Sequence, residues 1–380
     1  MAPQIDSWLA SEMGEGGSAC LPDFYSDASI DLAIRRIRFH GISLALCDTV
    51  KNVDKWPPRL RGSVLDEAQM QALWEESHLR MLRQLFDAFE QEGIQAVVMK
   101  GTALAYSVYG NPAWRRRGDS DILICETRLE DARRILRRDG FNLSPPPHGL
   151  LFQESWYFDT GIGFEHVVDL HWRVVDSPRL QTVLGADDML ENSIPLPRLH
   201  SSAWAADPVR ALVQGAFNQC EHSISGYAIE GEKVPEGDRL IWTMDYRYLC
   251  RTLDDEQWQE LVRLAERHEI SAVICAALDQ ARALSEDCVP KPVFAQLADR
   301  RQGGKVMSYL TQASRRRRIA SDLAASRGIG DKVSYVLRLM LPNDDHLRST
   351  FPHARNSPKF LLRLRWLVRA MFRHLKPDSA

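Results

Sequence analysis

Between residues 64 and 92 apolar side chains recur at three- and four-residue intervals, at Met70, Leu73, Trp74, Leu82, Leu85, Phe86 and Phe89, which predicts a long helix with one buried face. Gly93 is placed to end it. A weaker helical pattern covers Ile30–Thr49, and KNVDKWPPRLRG, with Pro57 and Pro58, reads as the connector between the two. Residues 1–28, with Gly14, Gly16 and Gly17 close together, read as a loose leader. From Ala96 the period changes. Ala96–Met99 reads as a short buried strand, Thr102–Tyr109 as a short helix, Gly110–Gly118 as a loop containing Pro112, and Ile122–Cys125 as a second strand. Thr127 caps a predicted helix that runs to Arg138 and stops at Gly140. Pro145-Pro146-Pro147 break the chain before two predicted antiparallel strands, Leu151–Phe158 and Phe164–Trp172, joined across Thr160-Gly161.

Beyond about residue 200 the strand pattern disappears. Trp204–Gln219, Leu240–Thr252, Asp255–His268, Ser271–Leu284, Val293–Arg301 and Arg316–Ser326 all carry helical spacing, broken by loops such as GEKVPEGD. The pattern predicts an α+β fold: a small mixed sheet flanked by helices, followed by an α-helical second domain. The expected division is a leader and helix over 1–62, a catalytic domain over 63–200, a helical substrate domain over 201–345 and a basic amphipathic helix over 346–380.

Composition narrows the picture. A chain of 380 residues with 44% apolar side chains can bury one or two full cores. Lys and Arg total 48 against 51 Asp and Glu, so the molecule lacks the positive field of a general nucleic-acid binder, and no sequence-specific nucleic-acid partner is expected. The seven cysteines are scattered and form no C-x-x-C pair, which argues against a disulfide framework or a zinc cluster and for a reducing, cytoplasmic setting. No targeting pattern and no long apolar run is visible. The exception to even charge is the C-terminus. From Phe351 to Lys376 there are seven Lys or Arg and no acid, and on a helical projection Phe360, Leu361, Leu364, Leu367, Val368, Met371, Phe372 and Leu375 share one side. Such a helix either docks on its own domain or lies on an anionic membrane, giving peripheral contact through 355–376.

The chemistry concentrates in VVMKGTALAYSVYGNPAWRRRGDSDILI, residues 97–124, and in HVVDLHW around Asp169. Residues two apart on a strand share a face, so Asp119 and Asp121 put their carboxylates side by side. A hard divalent cation, Mg²⁺ or Mn²⁺, relieves their repulsion, and Asp169, flanked by Val168 and Leu170, supplies a third acid for the metal site. Such a site can neutralise a triphosphate and support in-line displacement at phosphorus. Lys100-Gly101-Thr102 joins a strand to a helix start, where backbone N–H groups and the Thr102 hydroxyl can hold phosphate. Each piece alone has a plainer meaning: a D-x-D is often a solvated turn, and three arginines in a loop are more often a solvated run. Arg117, two residues before Asp119, is a candidate counter-charge for departing pyrophosphate. His171 shares Asp169's strand face and either positions substrate or is a hydrogen-bonded structural histidine, whereas His166 faces the other way. Glu221-His222 ends a helix either at the surface or in an acceptor pocket. Asp245, in the apolar helix IWTMDYRYL, requires a partner, either a core arginine or the active cleft.

The combination VVMKGTALAYSVYG, RRRGDSDILI and VVDLHW resembles the bacterial "uncharacterised nucleotidyltransferase" family of the polymerase-beta-like nucleotidyltransferase superfamily, over residues 80–285. The resemblance implies that Asp119 and Asp121 bind metal and the nucleotide's phosphates, that Asp169 shares the catalytic metal and helps activate the acceptor, and that Gly101 and Thr102 hold the triphosphate. Lys100, Arg117 and His171 complete the expected nucleotide-binding set. Two positions depart from the pattern: Thr102 stands for the usual Ser, and Ser120 stands where an apolar residue is typical, so the strand is expected to start late. The expected reaction moves an NMP from an NTP to an acceptor hydroxyl or phosphate with release of pyrophosphate. The acceptor is open among a small molecule, a sugar or lipid intermediate, and a protein. Two rivals stand beside it, a D-x-D glycosyltransferase using a nucleotide sugar and a catalytically silent nucleotide-binding adaptor.

Overall fold

The computed structural model describes residues 2–14, 26–50, 53–144, 151–229, 232–234, 238–300, 303–340, 347–348, 350–351, 354 and 357–374. The leader is helical where it is described. In α1 (Ala2–Met13), Ile5, Trp8, Leu9 and Met13 form one buried stripe, an amphipathic face too short to stand out against the glycines that follow. The predicted helix over 30–49 is two helices, α2 (Asp27–His40) and α3 (Ser43–Thr49). Gly41 separates them with φ of 70°, a left-handed turn that glycine adopts without strain.

Helix α4 (Pro58–Gln91) runs for 34 residues and starts six residues earlier than the apolar pattern suggests. Pro58 occupies its first position, where the missing N–H costs nothing. The buried face also differs from the predicted one. Met70 and Leu73 are 53% and 58% exposed, while Gln71, Glu75 and His78 are buried in line with Leu82 and Leu85.

The sheet has seven strands in the order β3-β4-β5-β2-β1-β7-β6. They are β1 (Ala96–Met99), β2 (Asp119–Ile124), β3 (Asn142–Leu143), β4 (Gln153–Asp159), β5 (Glu165–His171), β6 (Ile194–Pro195) and β7 (Ala203–Ala205). β2 lies antiparallel to β1 and parallel to β5, and β1 lies parallel to β7. Between β1 and β2 sits α5 (Lys100–Ser107), and α6 (Leu129–Arg138) follows β2. The sheet therefore continues past residue 200, and Trp204, predicted to begin a helix, lies in β7. Helix α7 (Ala186–Glu191) packs near β2, and α8 (Pro208–Ser225) begins only after Asp207, whose side chain caps it by accepting from the Val209 and Arg210 N–H groups. The triple proline lies outside the described residues.

The remainder is mostly helical: α9 (Leu240–Cys250), α10 (Asp255–Arg267), α11 (Ser271–Leu284), α12 (Lys291–Asp299), α13 (Lys305–Leu310), α14 (Arg315–Ala325), α15 (Ile329–Met340) and α16 (Lys359–His374). A two-stranded hairpin, β8 (Tyr227–Ile229) and β9 (Glu232–Val234), is an addition that the sequence pattern did not predict. Strand parity divides the core. Val98, Ile122, Ile124, Val168 and Leu170 face α4 and α6, whereas Val97, Met99 and Leu123 face a second core shared with α1 to α3 and α8 to α13. The same parity sends Asp119 and Asp121 toward the second core and Ser120 toward α4.

In α16 Leu362 is 1% exposed, but Phe360 is 68%, Leu361 38%, Leu364 56% and Val368 45% exposed. Most of the apolar side that the sequence marks out is thus uncovered among the described residues. No described helix is long and apolar enough to cross a membrane.

Candidate functional site

β2 begins at Asp119, three residues before the predicted start, because Ser120 is not a misfit in the strand. Its side chain is fully buried, and its hydroxyl bonds to Thr102 Oγ1 at 2.8 Å and to His78 Nε2 at 3.0 Å. A polar residue is accommodated at an inward strand position because α4 and α5 supply partners.

Those partners fix the direction of a hydrogen-bond chain. Arg117 can only donate, so its contact with His78 Nδ1 at 3.3 Å makes that nitrogen the acceptor and leaves the proton on Nε2. His78 then donates to Ser120, Ser120 to Thr102, and Thr102 to the carbonyl of Asp119 at 3.3 Å. Arg117 Nε also donates to Thr102 at 3.0 Å, and its Nη2 donates to Glu75 at 2.8 Å. Burial, the Arg117 charge and neighbouring His166 push the His78 ring well below the ordinary histidine range, in keeping with a neutral ring. His166, on the far face as expected, bonds Ser77 at 2.9 Å.

On the opposite face of the sheet, toward the second core, the acids meet. β2 and β5 pair in parallel with Asp121 opposite Asp169, and the ligating atoms of Asp121, Asp169 and His171 lie within 4.8 Å of one another. Asp121 Oδ1 accepts from Lys100 Nζ at 2.5 Å and contacts His171 Nε2 at 2.9 Å. Burial opposes its charge, but the Lys100 ammonium and His171 hold its carboxyl well below the usual range. Asp169 behaves in the opposite way: burial and then the Asp121 charge raise it. Gln153 Nε2 donates to Asp169 Oδ2 at 3.1 Å and the Ser155 hydroxyl across β4 eases the carboxylate's charge, while the buried Oδ1 has no hydrogen-bond partner of ordinary geometry. Asp119 sits at the open end of β2, outside that tight cluster. It reaches solvent, yet crowding by the surrounding protein and then the charges of Asp121 and Asp169 push it up to about 6.

Lys100 stands at the β1–α5 turn with φ of 51°, a left-handed conformation that costs a lysine on the order of 1–3 kcal/mol. Backbone strain of this kind is retained where it aims a side chain. Gly101 serves Arg115: a Cβ on Gly101 would lie 3.3 Å from the Arg115 guanidinium carbon. That guanidinium binds Asp245 at 2.7 Å, and Tyr109 Oη donates to the same carboxylate at 2.7 Å. The core arginine is thus the partner Asp245 needs.

Of the expected residues, Lys100, Asp121, Asp169 and His171 converge, with Asp119 beside them. Thr102 and Arg117, expected at the phosphates, turn inward; Thr102 is 1% exposed and the Arg117 side chain 3%. The arginine run is not solvated. Arg115 pairs with Asp245, Arg116 with Glu67 and Arg117 with Glu75, pinning the loop to α4 and α9. Sequence reasoning missed Glu75 and His78. A signal for them existed: Gln71, Glu75 and His78 continue the helical face of Leu82 and Leu85 with polar residues, the mark of a buried network.

No curated protein matches the chain. The family described as "Uncharacterised nucleotidyltransferase" matches residues 26–257, from α2 into α10. That span starts earlier and stops sooner than residues 80–285 and takes in both the acidic cluster and the α4 network beneath it. With more than half of its length covered, the chain belongs to this uncharacterised nucleotidyltransferase family.

Proposed function

We propose that the protein moves a nucleoside monophosphate from an NTP to an acceptor hydroxyl or phosphate and releases pyrophosphate, using Mg²⁺ or Mn²⁺. The observation that carries this reading is Asp169 Oδ1, a buried carboxylate oxygen without a hydrogen-bond partner of ordinary geometry, within reach of Asp121 and His171. An oxygen so placed is costly unless it meets a cation. Asp121 and Asp169 would hold the ion, with Asp119 at its open side; Asp121 Oδ1 is already engaged by Lys100 and by His171 Nε2, which steadies that carboxylate and leaves its second oxygen for the ion. A hard cation bound there would supply charge neutralisation for the triphosphate and polarise the α-phosphoryl group.

The chain's own residues do the rest. The Gly101 and Thr102 N–H groups open α5 toward phosphate, and the Lys100 ammonium adds a fixed positive charge. Thr102 and Arg117 act from beneath, holding the Asp119 carbonyl and so the start of β2. The acceptor oxygen bonds to the α-phosphorus, the bond to the bridging oxygen of the β-phosphate breaks, pyrophosphate leaves, and the acceptor proton passes to Asp169.

The test is incubation with each α-labelled NTP, Mg²⁺ or Mn²⁺ and cell extract. Labelled product is expected, with loss on chelation and a loss of at least about 10²-fold in Asp121→Asn and Asp169→Asn, a magnitude on the scale of perturbed metal sites. Transfer that persists in both variants overturns the reading. Product formed only from nucleotide sugars favours the glycosyltransferase, and cell function intact in Asp119→Ala favours the adaptor.

A further inference from the structure

A cavity adjoins the acidic cluster on the side of α8. Its volume is about 200 Å³, below the roughly 300–1,000 Å³ of sites for drug-sized ligands, so its occupant is compact. Lys100, Gln153 and His171 line the end nearest the acids, and Gln153 is the residue that binds Asp169.

The wall formed by α8 has its own chemistry. Gln214 projects from α8 with 3% exposure; its amide nitrogen contacts the sulfur of Met99 at 3.4 Å, and its carbonyl oxygen has no hydrogen-bond partner. A buried amide oxygen left bare costs about 1–3 kcal/mol, so the position calls for a donor from outside the chain. Asn218, one turn along α8, and Ser177 add further neutral polar groups, and Phe217 and Leu180 give an apolar wall. The charged groups of its wall are engaged: Glu221 is bound by Arg318 at 2.8 and 2.9 Å, Asp176 accepts from the Phe152 N–H at 2.8 Å, and Lys100 is committed to Asp121. An anionic ligand would find no unpaired cation there among these residues. A neutral molecule with several hydroxyls and a C–H face would match both the amide groups and the wall.

We infer that this cavity is the acceptor subsite and that it takes a compact neutral polyol or sugar, with Gln214 accepting from one hydroxyl while another is presented past Gln153 to the acids. The assignment rests on the nucleotidyltransferase reading proposed above. It places the nucleotide on the Gly101 side of the cluster and the acceptor on the Gln153 side, so that attack and departure fall on opposite sides of the α-phosphorus.

Two measurements separate this inference from the reading beneath it. Ligand-observed NMR on the full chain, with glucose, N-acetylglucosamine, myo-inositol and sorbitol as probes and glucose 6-phosphate and free nucleosides as comparators, reads the cavity without catalysis. At least one neutral polyol should bind, and Gln214→Met should weaken it at least tenfold. Asn218→Leu supplies the same readout should Gln214→Met fail to fold. Binding of no polyol, undiminished binding in the folded variants, or nucleosides binding in their place overturns the assignment, the last result marking the cavity as a base pocket. Release of NMP and pyrophosphate from α-labelled NTP reads the donor half alone. Polyol binding without any NTP turnover would sink the nucleotidyl reading and leave a polyol site; turnover without polyol binding would do the reverse.

Discussion

Gly101 lies against the guanidinium of Arg115, where a methyl group would sit 3.3 Å from the guanidinium carbon, so that Arg115 would have to give by a few tenths of an ångström. Arg115 cannot simply move aside, because it is buried and bound to Asp245. Alanine is the better helix former by about 1 kcal/mol, but overpacking a closed contact costs about 1–3 kcal/mol, so the clash wins. Gly101→Ala should lower the midpoint of urea unfolding and reduce transfer activity together. An unchanged midpoint would mean that the turn has slack.

Glu75 is the counter-charge of a nearly fully buried Arg117 and also accepts from Tyr106. Removing one partner of a buried pair costs about 3–5 kcal/mol, since the other charge stays behind. Glu75→Ala should approach that loss in denaturant unfolding. Glu75→Gln keeps a carbonyl oxygen for both Tyr106 and Arg117 and should lose distinctly less. Equal losses would show that shape rather than charge matters at this position.

His40 gives the fold an acid sensitivity whose sign can be worked out. Its Nδ1 accepts from the Leu240 N–H at 3.0 Å, so Nε2 carries the proton toward Asp6 at 2.9 Å and the ring is neutral. Burial outweighs the pull of Asp6 and lowers the ring below its ordinary value of 6.5. The unfolded chain therefore takes up a proton first as pH falls, and this contribution, complete above 6.5, drains away as pH drops from 6.5 toward the folded value. Unfolding free energy should fall between pH 7.5 and pH 5, and His40→Gln should flatten that slope. An equally steep slope in the variant would exclude His40 as a source.

The uncovered side of α16 predicts surface binding. Phe360, Leu361, Leu364 and Val368 are exposed beside Lys359, Arg363 and Arg365. Vesicles containing phosphatidylglycerol should co-sediment the full chain more than phosphatidylcholine vesicles do, with the difference shrinking at high salt and in the double variant Phe360→Glu, Leu364→Glu. Equal sedimentation of wild type and variant would count against a membrane role.

The acids, the Lys100 turn and the strand and helix order around them were legible because each rests on local rules: parity within a strand, apolar flanks and a turn before a helix. What was hidden depended on partners distant in sequence. Ser120 reads as a break in the apolar pattern until His78 is placed under it, and Arg115, Arg116 and Arg117 read as a solvated run until Asp245, Glu67 and Glu75 are seen to meet them. The face of α4 was misjudged for the same reason. Periodicity ranks residues by apolarity, so it chose Met70 and Leu73 over the buried Glu75 and His78. Short strands such as β7 carry too few residues to show a period.

The pairing of Asp121 with Asp169 has a dynamic consequence. The two carboxylates are aligned by the hydrogen-bonded register of β2 and β5, in the middle of a sheet with strands on either side. A slip of one residue would exchange the acids for Ser120 or Ile122 and turn them into an apolar core. The cluster cannot loosen separately from the sheet that carries it. Amide hydrogens of β2 and β5 should then exchange only when the whole molecule opens, and mutations that weaken the sheet should lower the fraction of active molecules while leaving the turnover of each intact molecule unchanged.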